Sequence, residues 1–416
     1  MRVKIKFVIL VLFLASSQLL NAQNLDISGF ARTYEGVLFN TGDFAIVQQT
    51  LNLNFEGSGD KVAFKVNPMM FLYGTDSLDF RMRELYLDLY FDNFDIRVGR
   101  QQIVWGKADG VFITDIVSPL NLTEFLLPDF DEIRTGVIAT KLDYYIGNST
   151  FEVIWIPVFT PTERPAPGSI WYIQPEMPAP ASYDWSKSEI NTSLENSELF
   201  ANFSMMTSNI DFDIMGAYTW DDNPSMHIQK QFEIDTTTGN PILTGLNITP
   251  QHHRLSVGGG SFSTEIKGFV FRGEGAYYNG KYFQTEDPTA EDALIQKNYL
   301  HYLVGLDFNI GSVKLSTQFI QQTILDYDDF ILNEKSLYTM TFLARYDVLH
   351  ETLHLELFSY VGLTNDDALI RPKITYDFDD SFSILLGSNI FVGDSNGQFG
   401  QYGDNSMIYA KLKYSF

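Results

Sequence analysis

Met407-Ile-Tyr-Ala-Lys-Leu-Lys-Tyr-Ser-Phe416 closes the chain and alternates throughout. Successive side chains of a strand point to opposite faces. Ile408, Ala410, Leu412, Tyr414 and Phe416 share one face, apolar with an aromatic end. Tyr409, Lys411, Lys413 and Ser415 share the other, cationic and wet. Working outward from this segment, the same two-residue period recurs along most of the chain. In 134–146, Ile138, Leu142, Tyr144 and Ile146 oppose Lys141 and Asp143. In 368–378, Ile370, Ile374, Tyr376 and Phe378 oppose Arg371, Lys373 and Asp377. If the apolar face meets hydrocarbon, an Arg or Lys slipped onto it costs about 2–4 kcal/mol at the midplane. The register is therefore strongly fixed.

The other end reads Met1-Arg-Val-Lys-Ile-Lys6, an apolar run from Phe7 to Leu20, and Ala22 before Gln23. A basic start, an apolar stretch and a small residue at the break predict a secretory signal peptide over 1–22 and a single mature domain over 23–416. The chain has no Cys. That rules out lipidation at Cys, disulfides and thiolate metal sites, and nothing is lost in an oxidising compartment. No later segment offers the roughly 20 apolar residues of a spanning helix. Phe and Tyr are nevertheless abundant (34 and 22), and mean hydropathy is near neutral at −0.07. That balance suits a barrel in which apolar and polar residues alternate. The net charge of −24 argues against nucleic acid. It suits surface loops that face divalent cations and lipopolysaccharide.

Eighteen strand-length segments follow: 25–36, 43–56, 60–73, 80–91, 93–101, 134–146, 149–159, 196–206, 209–220, 252–264, 267–280, 297–309, 312–324, 336–348, 351–363, 368–378, 381–393 and 404–416. Every second connection is tight and polar, as at Gly57-Ser58-Gly59, Gly147-Asn148 and Asp379-Asp380. The intervening ones are mostly longer, the longest at 102–133, 160–195, 221–251 and 281–296. Short turns at one end and long loops at the other mark a transmembrane antiparallel up-and-down β-barrel of about 18 strands, with 16 the competing count. The parity puts both termini on the short-turn, periplasmic side. Pro372 falls on the lipid face and removes a ladder donor, so a bulge or irregularity is expected there. A barrel of this size is not filled by its own inward side chains and leaves an aqueous channel.

The closing strand resembles that of a Gram-negative outer-membrane barrel. The resemblance makes Tyr414 and Phe416 the signal read by the barrel-assembly machinery. A second resemblance is carried by Arg83-Glu84-Leu-Tyr86-Leu-Asp88, Arg97-Val-Gly99-Arg100-Gln101, Trp105-Gly106-Lys107-Ala-Asp109-Gly110 and Ser118-Pro119-Leu120-Asn121. In that order they resemble a family of porin-like outer-membrane barrels catalogued mainly as a domain of unknown function. That family is related to anion-selective and alginate-export porins. Lys107 stands where the pattern more often has an acidic or small residue, which weakens any transfer of ligand detail. The close likeness spans about a tenth of the chain.

Read from the residues, Arg97, Gln101, Glu84 and Asp88 face the lumen, and opposite charges on paired strands lock their register. Lys141, Arg254, Arg272, Arg345, Arg371, Lys373, Lys411 and Lys413 add cations to the wall. Trp105-Gly106 then lifts the chain into a loop rich in Ile, Leu, Val and Phe, an odd composition for solvent. The loop is expected to fold inward as a constriction carrying Trp105, Lys107, Asp109, Asp115, Asp129 and Asp131, although packing on the rim or a neighbouring subunit would also use it. The outer loops are acidic, and Asp326, Asp328 and Asp329 supply oxygen ligands of the kind Ca²⁺ takes. No other cofactor is indicated. No Ser/His or metal frame suggests catalysis. His252 and His253, adjacent on a strand, point apart. The expectation is a porin conducting small solutes, with lumen cations favouring anions, in contact with outer-membrane lipid and open to homotrimer formation. A channel for hydrophobic compounds and a non-conducting scaffold of an envelope complex are the alternatives.

Overall fold

The computed structural model describes residues 24–416. The signal peptide expected over 1–22 lies outside the described residues. Alternation converts directly into strands: β1 (Asn24–Leu38), β2 (Phe44–Ser58), β3 (Val62–Tyr73), β4 (Ser77–Tyr90), β5 (Phe94–Gln101), β6 (Val137–Ile146) and β7 (Ser149–Ile156). After β8 (Ala181–Tyr183) come β9 (Glu198–Met206) and β10 (Ile210–Trp220), then β11 (Ser225–Ile234) and β12 (Pro241–Gln251). The chain continues through β13 (Arg254–Ile266), β14 (Phe269–Gln284), β15 (Leu294–Ile310), β16 (Val313–Ile324), β17 (Ser336–Val348) and β18 (Leu353–Gly362). It ends with β19 (Asp367–Asp377), β20 (Phe382–Val392) and β21 (Met407–Ser415).

Eighteen of these form one antiparallel sheet that closes on itself, because β21 pairs both β20 and β1. Phe416 and Gly29 exchange two backbone hydrogen bonds at 2.9 and 3.0 Å and seal the seam. The start of β1 and the end of β21 lie at the short-turn end, and each of the eighteen expected segments contributes one barrel strand. The remaining three strands correct the reading of 160–195 and 221–251 as plain loops. β11 and β12 form a hairpin, and β8 adds to it in parallel. These strands cap the long-loop end, where a small sheet needs no membrane-facing alternation and its pattern is easily missed. β14 and β15 also run further than expected and shorten the 281–296 connection.

Aromatic and aliphatic side chains such as Ile374, Phe378, Tyr414 and Phe416 are exposed on the outer wall. This is the surface a bilayer would cover. Pro372 interrupts the β19–β20 ladder at residues 371 and 372, and the register is unchanged on either side. The missing donor thus opens a gap in the hydrogen bonding without a bulge. A bulge occurs elsewhere, where β3 pairs β4 and the register shifts between Asn67 and Pro68. The extra residue is Arg83, and it changes which β4 side chains face inward: Glu84, Tyr86 and Asp88 below it, Asp79 and Arg81 above it.

Candidate functional site: a loop inside the barrel

Residues 102–136 leave the end of β5 and run inside the lumen. The reason is legible in the wall. Inward-facing positions of β6, β7, β9, β10 and β13 to β16 are apolar there, including Val137, Ile154, Phe200, Val257, Leu303 and Ile320. Ile103, Trp105, Ile113 and Val117 of the loop pack against them in one buried cluster. Ile113 is completely buried. Apolar residues on both sides remove each other from water, at roughly 25 cal/mol per Å² of area covered. Aromatic edge contact between Trp105 and Phe200, with centroids 6.1 Å apart, continues the packing.

Buried loop backbone needs partners, and the wall supplies them. Glu274 of β14 accepts from the N–H groups of Lys107 (2.8 Å), Ala108 (3.1 Å) and Thr114 (2.7 Å) and from the Thr114 hydroxyl (2.8 Å). Arg272 donates to the Lys107 carbonyl at 2.6 Å and pairs with Asp109. Gln318 accepts from the Asp109 N–H (3.1 Å) and donates to its carbonyl (2.8 Å). Tyr278 and Tyr360 donate to the carbonyls of Ile113 and Gly110. Gly110 has a φ of 74°, a conformation that favours glycine.

The far part of the loop is held by charge. Asp129 lies 2.9 Å from Lys411 and 3.9 Å from both Arg32 and Lys373. Burial pushes its carboxyl up, but Lys411, Lys373 and Arg32 outweigh burial and hold it well below the usual carboxylate range. Arg32 pairs with Glu132 through two bonds of 2.8 and 2.9 Å. Arg371 donates to the carbonyls of Leu126 (3.0 Å) and Leu127 (2.7 Å). Within the loop, Arg134 pairs with Asp115 at 2.6 Å.

The segment around 126–134 separates two cavities, and Pro128 lines both. The outer one, about 460 Å³, lies against the long-loop halves of β1 to β4. The inner one, about 330 Å³, lies against β17 to β19. Of the wall residues singled out in the sequence, Lys411 lines the outer cavity and Arg345, Arg371 and Lys373 line the inner one. Others are engaged elsewhere. Arg97 forms two bonds to Asp88 (2.7 and 3.0 Å) and stacks over Tyr86 at 4.0 Å. Gln101 is fully buried, donates to the Ala139 carbonyl at 3.1 Å, and does not meet solvent. Glu84 pairs with Lys65 at 3.2 Å, Lys141 sits between Asp143 and Glu152, and Lys413 lies over the Phe30 ring. In the loop, the Trp105 indole donates to Glu152, Lys107 reaches Asp213 at 3.4 Å, and the Asp131 carbonyl accepts from Arg83 and Gln102. Arg254 is on the outer face, stacked on Tyr218 and Trp220, and is not a lumen cation. The strand parity that makes Leu255 inward dictates this.

The sequence reading missed Glu274, Gln318, Arg32, Arg81, Arg83 and Arg100. Arg83 stood in the quoted motif, but only the bulge assigns its face and that of Arg81. Among the described residues no group of three or more His, Asp or Glu side chains converges as metal ligands. Asp328 caps the Phe330 N–H at 3.0 Å.

Residues 74–322 match a family described as a protein of unknown function, DUF1302. The chain belongs to that family. No curated protein matches the sequence. Among solved structures, OccAB1 of Acinetobacter baumannii is similar over 94% of this chain and 95% of its own, at 11% identity and a TM-score of 0.55. Pseudomonas aeruginosa OccD3 (OpdP) is similar over 95% and 91%, at 9% identity and 0.54. OccK2 (OpdF) of the same organism, solved in complex with glucuronate, is similar over 95% and 98%, at 10% identity and 0.53. At such identities the likeness concerns the fold. This DUF1302 chain has a porin-type outer-membrane barrel architecture.

Proposed function

We propose that this DUF1302 barrel is a passive channel for small solutes with a preference for anions. The observation that supports it is the outer cavity. Its lining holds six cations, Arg32, Arg81, Arg83, Arg100, Arg134 and Lys411, against four carboxylates, Asp79, Glu124, Glu132 and Glu163. A low-dielectric wall focuses that excess onto entering ions. The inner cavity is balanced, with Arg345, Arg371 and Lys373 against Asp109, Asp129 and Glu356, so the anion preference rests on the outer one. The inward loop narrows the passage between the two and sets the size limit.

Planar-bilayer recording tests this reading. Open channels with a reversal potential displaced toward the anion are expected. Arg83→Glu and Arg100→Glu should each move it toward the cation. Arg97→Glu should move it less, since Asp88 already neutralises that guanidinium. Silent membranes would instead favour a scaffold. Glucuronate, the ligand in the OccK2 structure, is a convenient carboxylate for liposome swelling.

A further inference from the structure

β4 rises well above its neighbour on one side. It pairs β3 from Ser77 to Leu89, but its ladder to β5 stops at the Leu85–Arg100 pair. Residues 77–84 therefore present an edge without a strand partner. Gly136 packs against the lower end of that edge, at the Arg83 carbonyl, and beyond it the cavity lining includes Asn121 and Glu163, joined to each other by a β-bridge. An ion pair crosses the gap, Arg81 to Glu163 at 3.3 Å.

Arg100 shows where the gap leads. Its register partners, Leu85 and Ile138, place it on the outer face of the sheet, with Leu87 and Val98. Yet it lines the same cavity as Tyr34 and Gln48, which face the lumen. Phe80 and Met82, outward residues of β4, line that cavity too. A cavity that touches both faces of one wall passes through it. Leu78 and Phe80 flank the gap outside and are about two-thirds exposed, at 65% and 64%. Arg100 makes no ion pair among the described residues, and its Nε is buried without a partner. Among the described residues Arg83 bonds only the Asp131 carbonyl and the Gln102 side-chain oxygen. Two guanidiniums without carboxylates thus stand beside an apolar lip, where an unpaired cation is costly.

The geometry points to a side window through which the outer cavity takes amphiphilic carboxylates, the head on Arg83 and Arg100 and the tail across Leu78 and Phe80 toward hydrocarbon. Arg–carboxylate geometry suits the head, and apolar burial retains the tail. This rests on the channel reading and adds a ligand class and a lateral route to it.

The test measures binding separately from conductance. The full chain in phosphatidylcholine nanodiscs is titrated with dodecanoate, acetate and dodecanol. Dodecanoate should bind at least tenfold more tightly than either, and Arg100→Ala and Arg83→Ala should each weaken it about tenfold while heat-modifiable migration shows a folded barrel. The chain has no Cys, so Arg81→Cys with Glu163→Cys can be bridged selectively by a short bis-maleimide. Bridging should abolish the dodecanoate binding measured for the unbridged double variant, without lowering that same variant's own chloride conductance. Equal affinity for acetate and dodecanoate, or undiminished dodecanoate binding after bridging, overturns the window. Loss of anion-selective conductance in the unmodified protein overturns the channel reading instead.

Discussion

The two flanks of the inward loop are held in opposite ways. Residues 103–117 lie on an apolar wall, with Glu274 and Gln318 tying down their backbone. Residues 124–134 hang between charges, Asp129 among three cations and Glu132 on Arg32. The first flank is dry and pinned by short-range geometry. The second borders both cavities and keeps its ion pairs beside water, where each is worth little by itself. The lesson is a division of labour: the greasy half anchors the loop so that the charged half can border both cavities.

Substitutions that break the comparison should differ in size. Glu274→Ala strands three backbone donors and a hydroxyl, and each buried unpaired donor costs roughly 1–3 kcal/mol. The anchored flank should detach, seen as a large rise in single-channel conductance. Ile113→Ala leaves a hole in the fully buried cluster, worth about 2–5 kcal/mol, and should lower the unfolding temperature with little change in selectivity. Asp129→Asn removes the one carboxylate shared by Arg32, Lys373 and Lys411. The charged flank should stay in place, and the reversal potential should move modestly toward the anion.

The smallest effect concerns the cap. His227 Nε2 lies 2.9 Å from His253 Nε2, and His227 Nδ1 lies 3.0 Å from Asp292, joining the β11–β12 hairpin to the rim. Burial, and then His227, lower His253 to about 4. A free imidazole titrates near 6.5. Between those values the opened hairpin binds a proton that the closed one refuses, so closure weakens as pH falls from about 6.5 to about 4. Above pH 7 nothing should change. Asp129, held below the usual range, keeps its pairs across the same window. Amide exchange should quicken in 225–234 on acidification and stay constant in 124–134.

Much of the barrel was legible because a membrane wall obeys a strict two-residue rule. Lys141 against Leu142, or Lys411 against Leu412, can be assigned a face from the sequence. The cap strands escaped because β11 and β12 face no hydrocarbon and need no such alternation. The apolar composition of 102–127 signalled an unusual loop, but its anchors, Glu274 and Gln318, sit more than 150 residues away and carry no local mark.

The sequence by itself determined the closed barrel and the alternation of inner and outer faces, since charge in hydrocarbon is too costly to misplace, and it left the strand count between 18 and 16. Only the tertiary structure decided which guanidiniums line the two cavities. One inserted residue at Arg83 and one shortened strand at Gln101 redirect side chains across the wall. Such shifts depend on how distant strands pair, and the order of residues along the chain does not encode them locally.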